Sequence, residues 1–504
     1  MSSNYEILAP APSATIESLT GVGYTLKTAL ADLIDNSITA MSKNIWLELE
    51  WNGPNSSISI LDDGLGMGED EISEAMRPGG KNPLHERDES DLGRFSLGLK
   101  TASWSQCRKV SVWSKTENHE ISSRCWDLDY VAKHNEWRVL TSLEGDESVS
   151  KLEALKSGTL IKWENLTSPL FQELVNSKDG LTHFHEHISA MQSYLGMIFY
   201  RFISGRAYSN KNNGPLNIFV NGHKTNAWNP FEVSDKIFSQ VTPLEKIEYL
   251  GVPLDIKGYV LPHKDKLSEN EYKNGAGPNG WIEQQGFYVF RAERLLVAGD
   301  WLGLGRGKSW VKEEQYRLAR ISIEIPNSLD QAWSLDIKKS TAMPPPQLKT
   351  KLTMLAEKVR EDAKKSFIYR GKYGPRPTSQ VYTSVPAWEQ AIRSGVLTYR
   401  VNKKHPLFKG LREKLGSLAA DFDSVVRMIE ESVPVQKIWI DTAESDQNHA
   451  IPYEGLSDEL KSDIKKMYKY LVAKMDSQKA IDLIKSSEPF NRYPELIEEV
   501  VEKL

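Results

Sequence analysis

Hydrophobic positions along the chain follow two periods, and the changeovers divide it. From Gly23 to Met41 (GYTLKTALADLIDNSITAM) the period is helical. At ~100° per residue Leu26, Leu30, Leu33, Ile34, Ile38 and Met41 gather on one side, with Asp32, Asp35, Asn36 and Thr39 on the other. Ser57–Leu61 and Thr159–Trp163 read instead as strands, and helical and strand patterns alternate up to about residue 210. Beyond 215 strand-like runs dominate: Leu216–Val220, Phe287–Phe290, Arg294–Ala298 and Ile321–Ile325, rich in β-branched and aromatic residues. Pro344-Pro345-Pro346 ends that pattern, because proline has no N–H and restricts the residue before it. The rest is mostly helical: Gln347 to about Tyr369, Leu407–Ser432 and Leu456–Lys474 each predict one helix. The expected organisation is an α+β chain in three parts, residues 1–212, 213–346 and 347–504.

Composition narrows the class. The 504 residues carry 63 Lys+Arg against 68 Asp+Glu, a net charge of -5, which argues against a wholly basic nucleic-acid coat. Two cysteines, Cys107 and Cys125, are too few for a disulfide framework or a four-cysteine zinc site. No apolar run reaches the ~18 residues of a membrane span, and the start MSSNYEILAP lacks a signal-peptide pattern. A cytoplasmic protein without membrane contact is expected. Charge is uneven within the last third: residues 349–414 hold 16 basic and 5 acidic residues, and residues 415–504 hold 11 and 18. The first block is either a solvated helical face or a basic surface for DNA phosphates.

Candidate chemistry clusters early. Asp32 and Asn36, four apart, are neighbours on the polar side of the first long helix. A carboxylate beside an amide oxygen offers a base for water and a ligand for Mg²⁺, which keeps few protein ligands; an ordinary wet helix face also explains the pair. The strand Ser57–Leu61 runs into Asp62-Asp63-Gly64-Leu65-Gly66-Met67. The glycines there would let backbone approach a planar ligand and the carboxylate would accept from an exocyclic amine, although Asp-Gly is also a common turn. Next come Gly79-Gly80-Lys81, a charged loop, and a run through Gly93, Ser96, Leu97, Gly98, Leu99, Lys100 and Thr101. Glycine-rich backbone entering a helix offers amide donors to phosphates, Lys100 adds a point charge, and flanking glycines suit a lid. Finally Gly158-Thr159 opens a strand with a hydroxyl that can donate and accept.

These four motifs, in this order, resemble the GHKL ATPases: gyrase B subunits, the large heat-shock ATPase chaperones, histidine kinases, and the MutL and MORC proteins. The run GRFSLGLKTAS is most similar to bacterial MutL/MORC-like members. The resemblance covers residues ~15–165 well and reaches more weakly to about 345. It implies a Bergerat-type α/β sandwich, an antiparallel-rich sheet with helices on one face, followed by an α/β transducer-like domain and a mostly helical C-terminal region. ATP and Mg²⁺ are the implied cofactors. Asn36 would be the metal ligand. Asp62 would read the adenine amine with Thr159 beside it, and Gly64, Gly66 and Met67 would line the base pocket. Gly93 through Thr101 (Ser96, Leu97, Gly98, Leu99 and Lys100 included) would wrap the phosphates. Asp32 occupies the position of the usual water-activating glutamate. It is one methylene, roughly 1.3–1.5 Å, shorter in reach, so slow hydrolysis is implied.

Further along, Val220-Asn221-Gly222-His223 and Asn229-Pro230-Phe231 look like a transducer entry. Trp333 to Ser340 looks like the segment that delivers a lysine, Lys338 or Lys339, to the γ-phosphate. Asp446-Gln447-Asn448-His449 with Glu454 and Glu459 is similar to an endonuclease metal motif, but the spacing is wrong and a polar loop is the better reading. The function implied is a Mg-ATP-dependent clamp or switch that forms an ATP-dependent homodimer. It would serve bacterial DNA processing or antiphage defence with a partner nuclease or helicase. A chaperone acting on protein clients and a nucleotide-binding scaffold with little turnover are the alternatives.

Overall fold

The computed structural model describes residues 10–79, 98–143, 146–207, 214–233, 237, 239–243, 245–336, 339, 341–368, 385–393, 396–434, 453 and 457–504. The chain forms two compact units, Met1–Ile368 and Tyr369–Leu504.

The first unit opens with helices α1 (Pro12–Thr20) and α2 (Leu26–Thr39). Thr25 caps α2: its hydroxyl accepts from the Thr28 amide while the Thr28 hydroxyl accepts from the Thr25 amide, so two otherwise unpaired donors are satisfied. Strands β1 (Asn44–Glu50) and β2 (Ser57–Asp62) follow, then α3 (Glu69–Met76) and α4 (Gly98–Trp104). The next elements are β3 (Cys107–Lys115), β4 (Ser122–Asp127), α5 (Leu128–His134), α6 (Val149–Glu153) and β5 (Gly158–Leu166). Helices α7 (Pro169–Asn176), α8 (Gly180–Ile198) and α9 (Tyr200–Ile203) precede β6 (Asn217–Val220) and β7 (His223–Lys224).

These strands make one mixed sheet in the order β4-β3-β5-β2-β1-β6-β7, antiparallel except for β1 beside β6. Alternation sends Ile45, Leu47, Leu49, Ile58, Ile60, Val110, Val112 and Ile161 to one face, where they pack with Leu30, Leu33 and Ile34 of α2 and Leu195 of α8. The helices therefore lie mainly on one face, as an α/β sandwich requires. The opposite face is partly covered too. Leu61, Trp113 and Leu160 pack there with Leu152 of α6.

A second sheet holds β8 (Gln240–Val241), β9 (Glu245–Tyr249), β10 (Val252–Val260), β11 (Gly286–Arg291), β12 (Arg294–Asp300) and β13 (Ala319–Glu324). Its order is β12-β11-β13-β10-β8, with β9 also on β10. The helix after the three prolines (Pro346–Ile368), expected to open the C-terminal part, lays Leu348, Leu352, Leu355, Ala356, Val359 and Ala363 on this sheet's core.

The second unit contains a two-stranded hairpin, Trp388–Arg393 with Val396–Val401, and helices whose core includes Leu460, Ile464, Met467, Ile484, Phe490 and Ile497. The expected helix over Leu407–Ser432 is two, Pro406–Leu415 and Ala419–Glu431. Gly416, at φ +54°, and a short 3-10 turn break it. The basic stretch 349–414 is divided between the two units.

Candidate functional site

Three segments meet on the helical side of the first sheet. At the end of β2, Asp62 lies opposite Thr159 of β5 in register. The Asp62 carboxylate accepts from the Ser37 hydroxyl of α2 (2.8 Å) and from the Gly64 amide (2.9 Å). Burial pushes this carboxyl above its usual range, against the pull of the Gly64, Ser37 and Ser42 donors. Thr159 Oγ1 is 2.8 Å from Ser114 Oγ, which accepts from the Met67 amide at 2.8 Å. Asp62, Thr159 and Met67 are thus brought together, with Ser37 and Ser114 as partners that the motifs did not single out. The neighbouring Asp63 is committed elsewhere, accepting from the Lys43 and Asn44 amides and from Asn44 Nδ2.

The glycines of this loop answer to the protein's own backbone. Gly66 has φ +70°, and a Cβ there would stand 1.9 Å from the Lys115 carbonyl oxygen. A Cβ on Gly64 would stand 2.7 Å from the Ala40 carbonyl oxygen, and one on Gly158 2.1 Å from that of Asp62. The sequence pattern alone is equally compatible with glycines that make room for a ligand. The loop instead locks onto α2, β3 and β5 by backbone contact.

Gly93, Ser96 and Leu97 lie outside the described residues, as does most of the glycine-flanked loop. Gly98 opens α4 beside Asp32, since a Cβ there would be 3.7 Å from Asp32 Oδ2. Leu99 is half-buried. The buried Lys100 points to α3, with Nζ donating to the Ala75 carbonyl at 2.9 Å. Burial lowers its pKa to about 8, with Glu74 pulling the other way. A lysine depressed on folding binds fewer protons in the folded state, so this group's stability contribution rises as pH climbs from about 8 toward its ordinary 10.5. Lys100→Met is expected to flatten that rise in thermal melts taken at pH 7, 8.5 and 10.

The strongest grouping lies between the two sheets. Asp32 is buried, and its Oδ2 accepts from the Tyr24 hydroxyl at 2.8 Å. Tyr24 also bonds the Thr101 side chain, and burial, reinforced by Asp32, holds its hydroxyl protonated far above the usual range. Lys339 arrives from the segment after the second sheet, with Nζ 3.3 Å from Asp32 Oδ1 and 2.6 Å from Asp35 Oδ2. Arg294, the first residue of β12, places Nε 2.8 Å from Asp35 Oδ1 and Nη2 3.8 Å from Asp32 Oδ1. Burial pushes the Asp35 carboxyl up, opposed by Arg294 and then Lys339. Burial works against the Arg294 charge, but Asp35 and Asp32 outweigh it and hold the guanidinium protonated.

One turn beyond Asp32, Asn36 is exposed. Lys338 lies outside the described residues. Asp35 was visible on the polar helix face but carried no role, while Tyr24 and Arg294 gave no local signal. Of the endonuclease-like run, Asp446, Gln447, Asn448, His449 and Glu454 also lie outside the described residues, and Glu459 is exposed at the start of a helix. Among the described residues, no group of three or more His, Cys, Asp or Glu side chains is placed to hold a metal. None of the helices searched is long and apolar enough to cross a membrane.

Residues 24–159 match the family model for histidine kinase-, DNA gyrase B- and HSP90-like ATPases. The match begins at Tyr24 and ends at Thr159, two residues just placed in the site. This region is a GHKL-type ATPase domain, and ATP-dependent activity is the general property of such domains. No curated protein matches the chain.

Proposed function

We propose that the protein is a slow Mg-ATP-dependent conformational switch, closest in kind to the MutL/MORC-like ATPases. The observation that carries this reading is the meeting of Lys339 with Asp32 and Asp35, one turn from Asn36. A cation from the segment beyond the second sheet thereby touches the helix on which hydrolysis would occur, so the placement of the two sheets can depend on what occupies the site.

The side chains fit the nucleotide. Asp62 is a buried carboxylate with acceptor capacity beyond the Gly64, Ser37 and Ser42 donors, suited to an exocyclic amine, and Thr159 stands next to it. Gly64, Gly66 and Met67 form the base end, and Asn36 is the exposed oxygen ligand available to magnesium. Gly98, Leu99 and Thr101, with Gly93, Ser96 and Leu97 before them and Lys100 behind, would frame the phosphates. Bound Mg-ATP would supply the phosphoanhydride whose hydrolysis resets the switch. Within the chain, Asp32 orients a water and takes its proton, while Tyr24 holds Asp32 in place. Lys339, with Lys338 adjacent, answers to the terminal phosphate.

The wider role proposed is bacterial DNA processing or antiphage defence in the cytoplasm. The working form would be an ATP-dependent homodimer with a partner nuclease or helicase, and the basic residues of 349–414 are the candidate DNA contacts. The test uses a fluorescent ATP analogue and phosphate release. Binding should require Mg²⁺, Asn36→Ala should abolish it, and Asp32→Ala should bind yet release at least tenfold less phosphate. Release from Asp32→Ala equal to wild type would remove Asp32 from the mechanism.

A further inference from the structure

We infer that Arg294 is a positioning residue for this reaction. Its guanidinium fixes Asp35 and the backbone of Lys339, so that the lysine can leave the two aspartates without stranding them. The inference rests on the ATPase reading above.

The geometry begins at a rigid hairpin. Ala292 and Glu293 join β11 to β12 at φ +45° and +68°, the left-handed pair that a two-residue mirror-image turn needs. The turn is fastened on several sides. Arg291 pairs with Asp330 at 2.8 Å, and the Glu293 amide donates to Glu324 at 3.0 Å. Glu324 in turn holds Arg201 of α9, whose guanidinium lies 3.7 Å over the Phe290 ring. Arg294 follows directly, crosses the Phe199 ring at 5.7 Å and ends on α2.

There it touches three partners. Nε faces Asp35 Oδ1 at 2.8 Å, Nη2 faces Asp32 Oδ1 at 3.8 Å, and Nη1 donates to the Lys339 carbonyl at 3.5 Å. Two carboxylates and two cations balance in this site, but the cations differ in kind. The Arg294 side chain is 2% exposed and stands on a strand; that of Lys339 is 10% exposed and stands on an irregular segment at φ +52°. Lys339 is therefore the member able to move. Its departure leaves two buried carboxylates, and removing one partner from a buried ion pair is strongly destabilising. A guanidinium has five donors in a fork and can serve both carboxylates at once; an ammonium is a single point. Arginine at 294 is what makes Lys339 releasable.

The test compares wild type with Arg294→Gln and Arg294→Lys. Three quantities are read: equilibrium binding of a fluorescent ATP analogue, the turnover number, and amide exchange at residues 339–342 in nucleotide-free protein. For Arg294→Gln we expect affinity within about threefold of wild type, turnover at least tenfold lower, and faster exchange at 339–342 with β13 unchanged. Arg294→Lys should recover part of the turnover but not all, because it restores the charge without the fork. Turnover within twofold of wild type in Arg294→Gln, or unchanged exchange at 339–342, would overturn the inference. So would equal losses of affinity and turnover, which mark a general structural defect. If Arg294→Gln does not fold, full wild-type turnover and exchange in Arg294→Lys overturn it instead. A wild-type protein that binds no nucleotide would defeat the ATPase reading. The exchange measurement would still decide whether Arg294 fixes Lys339.

Discussion

Lys339→Met should lose at least a hundredfold in ATP turnover and melt at a lower temperature even without nucleotide. The two effects have one source. Lys339 Nζ is within 2.6 Å of Asp35 and 3.3 Å of Asp32, and both aspartates are almost wholly buried. Methionine fills similar volume without charge, leaving Arg294 to balance two carboxylates. Breaking a buried pair by removing one partner costs roughly 3–5 kcal/mol, of which Arg294, still facing both carboxylates, offsets a part. The turnover loss follows because the cation proposed to answer to the terminal phosphate is gone, whereas the base end is untouched. Nucleotide binding measured by fluorescence should therefore fall far less than phosphate release. A variant that melts like wild type would show that the ion cluster does not hold the two sheets together.

Asp62→Asn should weaken ATP binding by about 100-fold, an effect of the size expected when a charged hydrogen-bond acceptor in a built site is replaced. Folding should survive. The Ser37 hydroxyl has a second acceptor in the Leu33 carbonyl at 3.4 Å, so it can turn away from an amide NH₂. The sign of the pH effect also favours the variant. Burial raises the Asp62 carboxyl, so a folded chain holds this proton at pH values where the unfolded chain has lost it. Its stability contribution therefore falls as pH rises from the unfolded value through the folded one. Asparagine carries no such penalty, so its melting temperature at pH 7 should equal or exceed that of wild type. Unchanged affinity would dismiss Asp62 as the base-reading group.

The meeting of Asp62 with Thr159 was legible in the sequence because its parts are local. A strand that stops at an aspartate and a second strand that starts with Gly-Thr announce themselves by pattern, and the sheet then sets Asp62 against Thr159. The physical reason for the glycines was not legible. Gly66 looks like a concession to a ligand until β3 is seen to bring the Lys115 carbonyl against it. The charged end was only half legible. Asp32 and Asn36 stand out on one helix, but Asp35 gains its meaning from cations 259 and 304 positions downstream. No local periodicity encodes that pairing. Arg294 reads as the polar start of an apolar strand until the hairpin register aims it at α2. The break at Gly416 was missed because apolar spacing runs on across it, while the backbone turns left-handed there.

The interlocked glycine loop has a kinetic corollary. Its shape is set by main-chain neighbours within the chain, so the proposed purine site would be moulded in advance and should admit ADP and ATP at similar speed. Counting phosphates would then fall wholly to the exchangeable charges at the far end. Any difference between the two nucleotides should surface as a difference in how long each one stays.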